Sequence, residues 1–84
     1  MTQVQEKVTS MLVEKLGIEP SQVTPAANFI KDLGIDSLDY IELIMEFERE
    51  FDIRIPDTEG EQLKTVGQAV DYIEKKQNEP KPDA

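Results

Sequence analysis

The sequence predicts an all-α domain, and three observations support this prediction. Apolar residues recur at helical spacing in three separate segments. Two of these segments begin with the spacing of a capping box, in which a Thr and a Gln three residues later satisfy the first backbone N–H groups. Alternation of polar and apolar residues, which would indicate a strand, is confined to residues 52–55 and is too short to form one.

The first predicted helix ends before Gly17, a residue type common just after a helix C-terminus. Thr2 and Gln5 have the spacing of a capping box at its start. The apolar face of this helix comprises Val4, Val8, Met11, Leu12 and Leu16. This periodic pattern predicts a helix with one face turned toward a core.

A long connection, residues 17–36, follows the first helix and is rich in Pro, Gly and polar residues. One helical turn is expected at residues 20–23. Because so long a structureless loop is unusual in a small domain, we expect its apolar side chains to hold it against the core. These side chains are Val23, Phe29, Ile30, Leu33 and Ile35.

Two apolar stripes run along the second predicted helix, residues 37–51. The inner stripe has the width of a core-facing surface and comprises Tyr40, Leu43, Ile44, Phe47 and Phe51. The outer stripe, formed by Leu38, Ile41 and Met45, lies roughly 145° around the helix from the inner one. One helix in a small bundle cannot easily bury two such faces. The outer stripe is therefore either a docking surface for a partner or a face covered by the 17–36 loop.

Carboxylates border the outer stripe, and an apolar strip with an acidic rim fits a partner that has a hydrophobic groove and basic edges. The rim residues are Asp39, Glu42, Glu46, Glu48 and Asp52. Arg49 interrupts this acidic rim.

The C-terminal third predicts two further helices, the first of them short. Pro56 ends the second helical region, and Thr58 with Glu61 predicts a capped start for the short third helix. Thr65 and Gln68 form a clearer capping box for the last helix. Its inner stripe comprises Val66, Ala69, Val70 and Ile73. We expect residues 1–77 to form the domain and the polar residues 78–84 to be a disordered tail.

Composition excludes most catalytic classes. The 84 residues include no Cys and no His, so the usual nucleophile, general base and zinc ligands are missing. Asp32, Gly34 and Asp36 do not match the spacing of a calcium loop, and no metal site is expected. We therefore predict a protein that is not an enzyme, and whose reactive chemistry is supplied by a modification or a partner.

The formal net charge of −9 argues against binding to nucleic acid or to anionic membranes and favours partners with basic patches. No apolar run approaches the length of a membrane span, and no stable membrane insertion is expected. We predict a cytoplasmic monomer, with an organelle as the alternative location if a transit peptide has been removed.

Ser37 is placed at the point where the polar connection turns into the second helix. Free backbone N–H groups and the helix dipole at such a position favour a phosphate attached to the serine. The alternative is that Ser37 or Asp36 only caps the helix. Local sequence alone favours the capping interpretation, since such caps are common.

The stretch Asp36-Ser37-Leu38 resembles the motif of acyl carrier proteins, the small acidic helical proteins of fatty acid and polyketide synthesis. The similarity extends over nearly the whole chain up to the tail. Further matching stretches are Phe29 to Gly34, Glu42-Leu43, Glu50-Phe51-Asp52, Ile55-Pro56-Asp57, Thr65-Val66-Gly67 and Asp71-Tyr72-Ile73.

The resemblance implies a four-helix bundle with a short third helix and a long loop between the first and second helices. It implies that Ser37 carries 4′-phosphopantetheine, transferred from coenzyme A by a phosphopantetheinyl transferase with the assistance of Asp36. The thiol of this arm would carry acyl chains as thioesters, and the acyl chain could lie between the helices. It further implies docking of synthase enzymes on the second helix, through Leu38, Asp39, Ile41, Glu42, Met45 and Glu48.

Two other functions remain open from the sequence. An aminoacyl carrier of the D-alanyl type shares Asp-Ser-Leu, and an unmodified acidic interaction module would use the same helix without a prosthetic group. Arg49 stands where acyl carrier proteins commonly have an acidic residue, which implies altered docking to some basic partners.

Overall fold

The computed structural model describes residues 3–78. These residues form four α-helices: α1 (Gln3–Leu16), α2 (Ser37–Phe51), α3 (Asp57–Gly60) and α4 (Val66–Asn78). A 3-10 turn at Pro20–Gln22 lies in the connection between α1 and α2, where one helical turn was expected. Residues 3–78 contain no strand, and an isolated bridge joins Asn28 to Thr65. The predicted all-α fold, with its short third helix and long first connection, is confirmed.

The core lies between the apolar faces of the three long helices. Leu12 of α1, Leu43 and Phe47 of α2, and Ile73 of α4 are all completely shielded from solvent. Among the described residues, no polar or charged side chain is fully buried, so packing of apolar surface stabilises the bundle. The stripes predicted for α1 and α4 and the inner stripe of α2 are therefore the faces that the helices turn toward one another.

Gly17 and Gly34 bracket the long connection, and both adopt a positive φ that glycine accommodates without strain (+67° and +72°). At Gly17 the backbone N–H donates to the carbonyl of Val13, as expected where a helix stops. Val23, Phe29 and Ile35 are buried, so the connection is held against the core as predicted. This packing fixes the position of the start of α2 beside the loop.

Ile30 does not hold the loop to the core; that prediction was wrong. Its side chain is 52% exposed. The Asn28 side chain accepts hydrogen bonds from the backbone N–H groups of Ile30 (3.0 Å) and Lys31 (2.9 Å), and these bonds fold residues 28–31 into a tight turn. Phe29 of this turn packs in the core, and the adjacent Ile30 therefore points outward toward α2.

The predicted cap of α3 was also wrong. The helix begins at Asp57, after Pro56, and has no side-chain cap, so Thr58 lies inside the helix rather than at its start. The predicted box at the start of α4 is confirmed: Gln68 N–H donates to Thr65 Oγ1 (3.2 Å), and Thr65 N–H donates to Gln68 Oε1 (3.1 Å).

The two chain ends lie mostly outside the described residues. The predicted capping residue Thr2 is among these, as are residues 79–84 of the predicted tail. At the boundary, α4 includes Asn78, one residue beyond the predicted end of the domain.

Tyr40 joins α2 to the segment around α3. Its hydroxyl lies within hydrogen-bond distance of the carbonyl oxygens of Gly60 and Leu63, and its single proton is shared between them. Its ring packs at a tilt of 51° against Phe29, with the ring centroids 5.7 Å apart. Burial of the phenol raises the pKa of Tyr40 to about 12.

Stability should fall at alkaline pH partly because of Tyr40. The folded state holds the phenol proton up to about pH 12, whereas the unfolded chain releases it near the ordinary pKa of 10.0. The contribution of this group is therefore complete below pH 10 and lost as the pH rises to 12. We expect the difference in unfolding free energy between wild type and Tyr40→Phe to shrink over that interval. Denaturant titrations at several pH values measure it, and a constant difference would contradict the assignment.

Candidate functional site

Asp36 caps α2, and this leaves the adjacent Ser37 available. Asp36 has an extended backbone (φ −82°, ψ 171°), and its Oδ1 accepts a hydrogen bond of 2.9 Å from the backbone N–H of Asp39. Ser37 is the first helical residue and is exposed. Its hydroxyl makes no hydrogen bond to any other residue of 3–78. The structure therefore assigns the capping role to Asp36 and not to Ser37, an assignment that the sequence left open.

An open cavity of about 530 Å³ begins at Ser37 and runs between α2, α3 and the 28–31 turn. Its apolar wall comprises Ile30, Ile41, Ile44 and Met45. Glu48, Asp57 and Glu61 also line it. A group attached to Ser37 Oγ therefore has solvent on one side and an apolar surface on the other.

The outer stripe of α2 is a solvent-exposed surface. Leu38 is 75% exposed, Ile41 56% and Met45 54%. The alternative in which the 17–36 loop covers this face is therefore wrong. The loop instead packs on the inner side through Phe29 and Ile35, and Ile30 extends the exposed apolar surface beyond α2.

The acidic residues around the outer stripe have different surroundings. The Glu42 side chain is 66% exposed and lies 3.6 Å from Lys15 Nζ. Glu48 is partly committed to the fold, because its Oε2 accepts a hydrogen bond of 3.0 Å from the backbone N–H of Ile55. Asp39 is half-buried and lies in the first turn of α2. Arg49 is exposed beside Met45.

A comparison with protein families places these features in context. The model described as "Phosphopantetheine attachment site" matches residues 6–73. An acyl carrier protein of Amoebophilus asiaticus is 53% identical over 76 residues, which cover 90% of this chain and 95% of the relative. The chain belongs to the acyl carrier protein family. Acyl carrier proteins of two Porphyromonas gingivalis strains, ATCC 33277 and W83, are each 53% identical over 75 residues, or 89% of this chain and 96% of theirs.

Membership of the acyl carrier protein family confirms several predictions. The prosthetic group is 4′-phosphopantetheine, and the chain acts as a carrier in fatty acid biosynthesis rather than as a catalyst. A carrier of this kind interacts with acyl chains and with synthase enzymes. The structure fits the group, because Ser37, whose exposed hydroxyl has no hydrogen-bond partner within residues 3–78, lines an apolar groove.

No group of three or more acidic side chains within residues 3–78 is arranged to hold a metal ion. None of the helices described here has both the length and the apolar character needed to cross a bilayer.

Sequence reasoning missed two contacts of α2, one beside Ser37 and one with α1. Ile30 lines the groove next to Ser37, and the signal for this was Asn28, a residue type that folds its own backbone into a turn. Lys15 of α1 reaches the carboxylates of α2. No local pattern predicts that contact, since it depends on how two helices separated by the long connection pack together.

Substitutions at Asp36 should separate its structural role from the role in modification that the resemblance implies. Asp36→Ala removes the α2 cap and is expected to lower stability by about 0.5–2 kcal/mol. Asp36→Asn keeps a capping side chain and should leave stability nearly unchanged, while both variants should be modified more slowly because both lose the carboxylate charge. Thermal unfolding and the rate of mass gain with coenzyme A measure the two effects. Wild-type modification of Asp36→Asn would show that Asp36 acts only as a cap.

Proposed function

We propose that this chain carries acyl groups as thioesters on a 4′-phosphopantetheine arm attached to Ser37. The arm is transferred from coenzyme A by a phosphopantetheinyl transferase and, once attached, supplies the thiol that a chain without Cys lacks. The observation that supports this proposal most strongly is that Asp36 and Ser37 have separate roles at the start of α2. Asp36 caps the helix terminus, and the exposed Ser37 hydroxyl has no hydrogen-bond partner in the part of the chain that the structure describes.

The start of α2 suits the attachment of a phosphodiester. Backbone N–H groups in a first helical turn and the helix dipole stabilise negative charge next to Ser37. In the proposed reaction Ser37 Oγ gives up its proton and bonds to the phosphorus of coenzyme A that carries the pantetheine arm. The pyrophosphate P–O bond of coenzyme A breaks, and adenosine 3′,5′-bisphosphate leaves. Asp36, adjacent in sequence to Ser37 and held in place by the Asp39 N–H, assists the transferase in this proposal.

Enzymes that exchange acyl groups with the carrier dock, in this proposal, on the outer stripe and its acidic rim. Leu38, Ile41 and Met45 provide the apolar contact, and Asp39, Glu42 and Glu48 attract basic residues of the partner. A chain of net charge −9 associates rapidly with basic partners, and salt weakens the encounter. Arg49 places a cation within this rim and reduces the attraction for partners that approach from that side.

The groove beside Ser37 offers an apolar surface to the acyl chain through Ile30, Ile41, Ile44 and Met45. We further propose that the carrier domain extends to the end of α4 at Asn78, and that the protein acts as a monomer in the cytoplasm.

The intact mass of the protein purified from its own cells tests this function. We expect a population that bears the arm and further populations that bear the arm plus acyl groups. Arm plus D-alanine would indicate the aminoacyl carrier instead. An unmodified protein in growing cells would indicate an interaction module that works without the prosthetic group.

A further inference from the structure

Lys15 lies where α1 passes the middle of α2, in contact with two carboxylates. Its Nζ is 3.1 Å from Glu46 Oε2 and 3.6 Å from Glu42 Oε2. The Lys15 side chain is only 21% exposed, so its position is fixed by packing as well as by charge.

The two carboxylates differ in how strongly they depend on Lys15. Glu46 Oε2 is shielded from solvent, and its short contact with Lys15 lies outside ordinary hydrogen-bond geometry. Lys15 therefore stabilises this carboxylate chiefly through charge attraction. Glu42 is mostly exposed and remains accessible to a partner. Contact with Glu46, the largest cause, together with attraction to Glu42, raises the pKa of Lys15. The ammonium group therefore stays charged at neutral pH.

Glu42 and Glu46 are four residues apart on one helix, a spacing at which like charges repel. Lys15 relieves this repulsion, and in doing so it neutralises the middle of the acidic rim. The other ion pair between α1 and α2, Lys7 with Glu50 at 3.1 Å, is half-exposed at both partners and lies at the far end of α2 from Ser37. It is an ordinary surface pair and provides a matched comparison.

We propose that Lys15 is a specificity-determining residue for partner docking, because it neutralises Glu46 and competes with a partner's cations for Glu42. This inference rests on the proposed function of α2 as the docking helix. The consequence is that, of the three docking carboxylates, Asp39 and Glu48 attract a partner's basic groups without competition from Lys15, whereas Glu42 does not. An enzyme that docks through Glu42, as the phosphopantetheinyl transferase does in this proposal, must displace Lys15.

The test compares Lys15→Met with Lys7→Met, using the rate at which a phosphopantetheinyl transferase modifies the protein with coenzyme A. Each variant removes one positive charge from a chain of net charge −9, so the two have equal net charge. At low ionic strength Lys15→Met should raise kcat/KM by about threefold to tenfold through a lower KM, the size of effect expected of one charge at short range in water. Lys7→Met should change it by less than about twofold, and high salt should remove the difference.

Two further variants show the origin of the effect. Lys15→Arg keeps the charge and should behave like wild type. In a Glu42→Gln background, Lys15→Met should no longer raise the rate, because the carboxylate that it would release is absent. Circular dichroism verifies folding, and Lys15→Gln replaces Lys15→Met if the latter unfolds.

Equal rates for the Lys15 and Lys7 variants would overturn the inference while leaving the proposed function intact, since wild type would still be modified. Failure of the wild-type protein to be modified at all would instead reject the proposed function.

Discussion

Replacing Ser37 with alanine is expected to abolish the gain in mass that follows incubation with coenzyme A and a phosphopantetheinyl transferase. The hydroxyl oxygen is the proposed attachment atom, and alanine offers no substitute. Because Ser37 is exposed and Asp36 provides the cap of α2, the variant should unfold within about 0.5 kcal/mol of wild type. Loss of modification would then be a chemical effect and not a consequence of unfolding.

Ser21→Ala is the matched control for this experiment. Ser21 is also an exposed serine, located in the Pro20–Gln22 turn, away from the start of α2. Intact-mass measurement should show the full gain for Ser21→Ala and none for Ser37→Ala. A normal gain in the Ser37 variant would refute the assignment of the attachment site.

Replacing leucine with alanine at two positions of α2 should affect stability at one position and docking at the other. Leu43 is completely buried, and Leu43→Ala is expected to destabilise the domain by about 2–5 kcal/mol through lost burial and the cavity that remains. Leu38 is 75% exposed, and Leu38→Ala should change stability by less than about 0.5 kcal/mol. It should nevertheless weaken association with a docking enzyme by about tenfold or more, since burying a leucine side chain is worth about 1.5–3 kcal/mol.

Denaturant unfolding and the KM for modification measure these two effects separately. A large loss of stability in Leu38→Ala would show that the outer stripe belongs to the core. An unchanged KM in that variant would show that the transferase docks elsewhere. Leu43→Ala with wild-type stability would contradict the assignment of the inner stripe.

Periodicity alone predicted which face of each long helix is buried, because a period of 3.6 residues assigns every apolar side chain to a side of the helix. It also indicated that α2 has more apolar surface than a small bundle can enclose. Whether Leu38 and Met45 were covered could not be predicted, since the answer depended on the path of the 17–36 loop. Phe29 and Ile35 direct that loop to the inner side, and the outer stripe remains exposed.

The errors in prediction arose where tertiary contacts outweigh local pattern. Ile30 is apolar but lies outside, because the Asn28 turn gives the core position to Phe29. In α3, Gly60 is buried, and a Cβ atom built there would lie 3.6 Å from Ile55 and 3.7 Å from Ile44. These are ordinary van der Waals contacts, so α3 is packed on the core at its last residue while its start, after Pro56, has no side-chain cap. At the site, the motif singled out Asp36 and Ser37, whereas their separate roles followed only from the backbone conformation at Asp36.

The most direct test of the central claim is to locate the prosthetic group on protein isolated from its own cells. Cleavage after Lys31 and Arg49 by trypsin releases residues 32–49, in which the only hydroxyl side chains are Ser37 and Tyr40. Fragmentation of this peptide by tandem mass spectrometry should place the added mass between Asp36 and Leu38. Added mass on any other residue, or an unmodified 32–49 peptide throughout growth, would contradict the account.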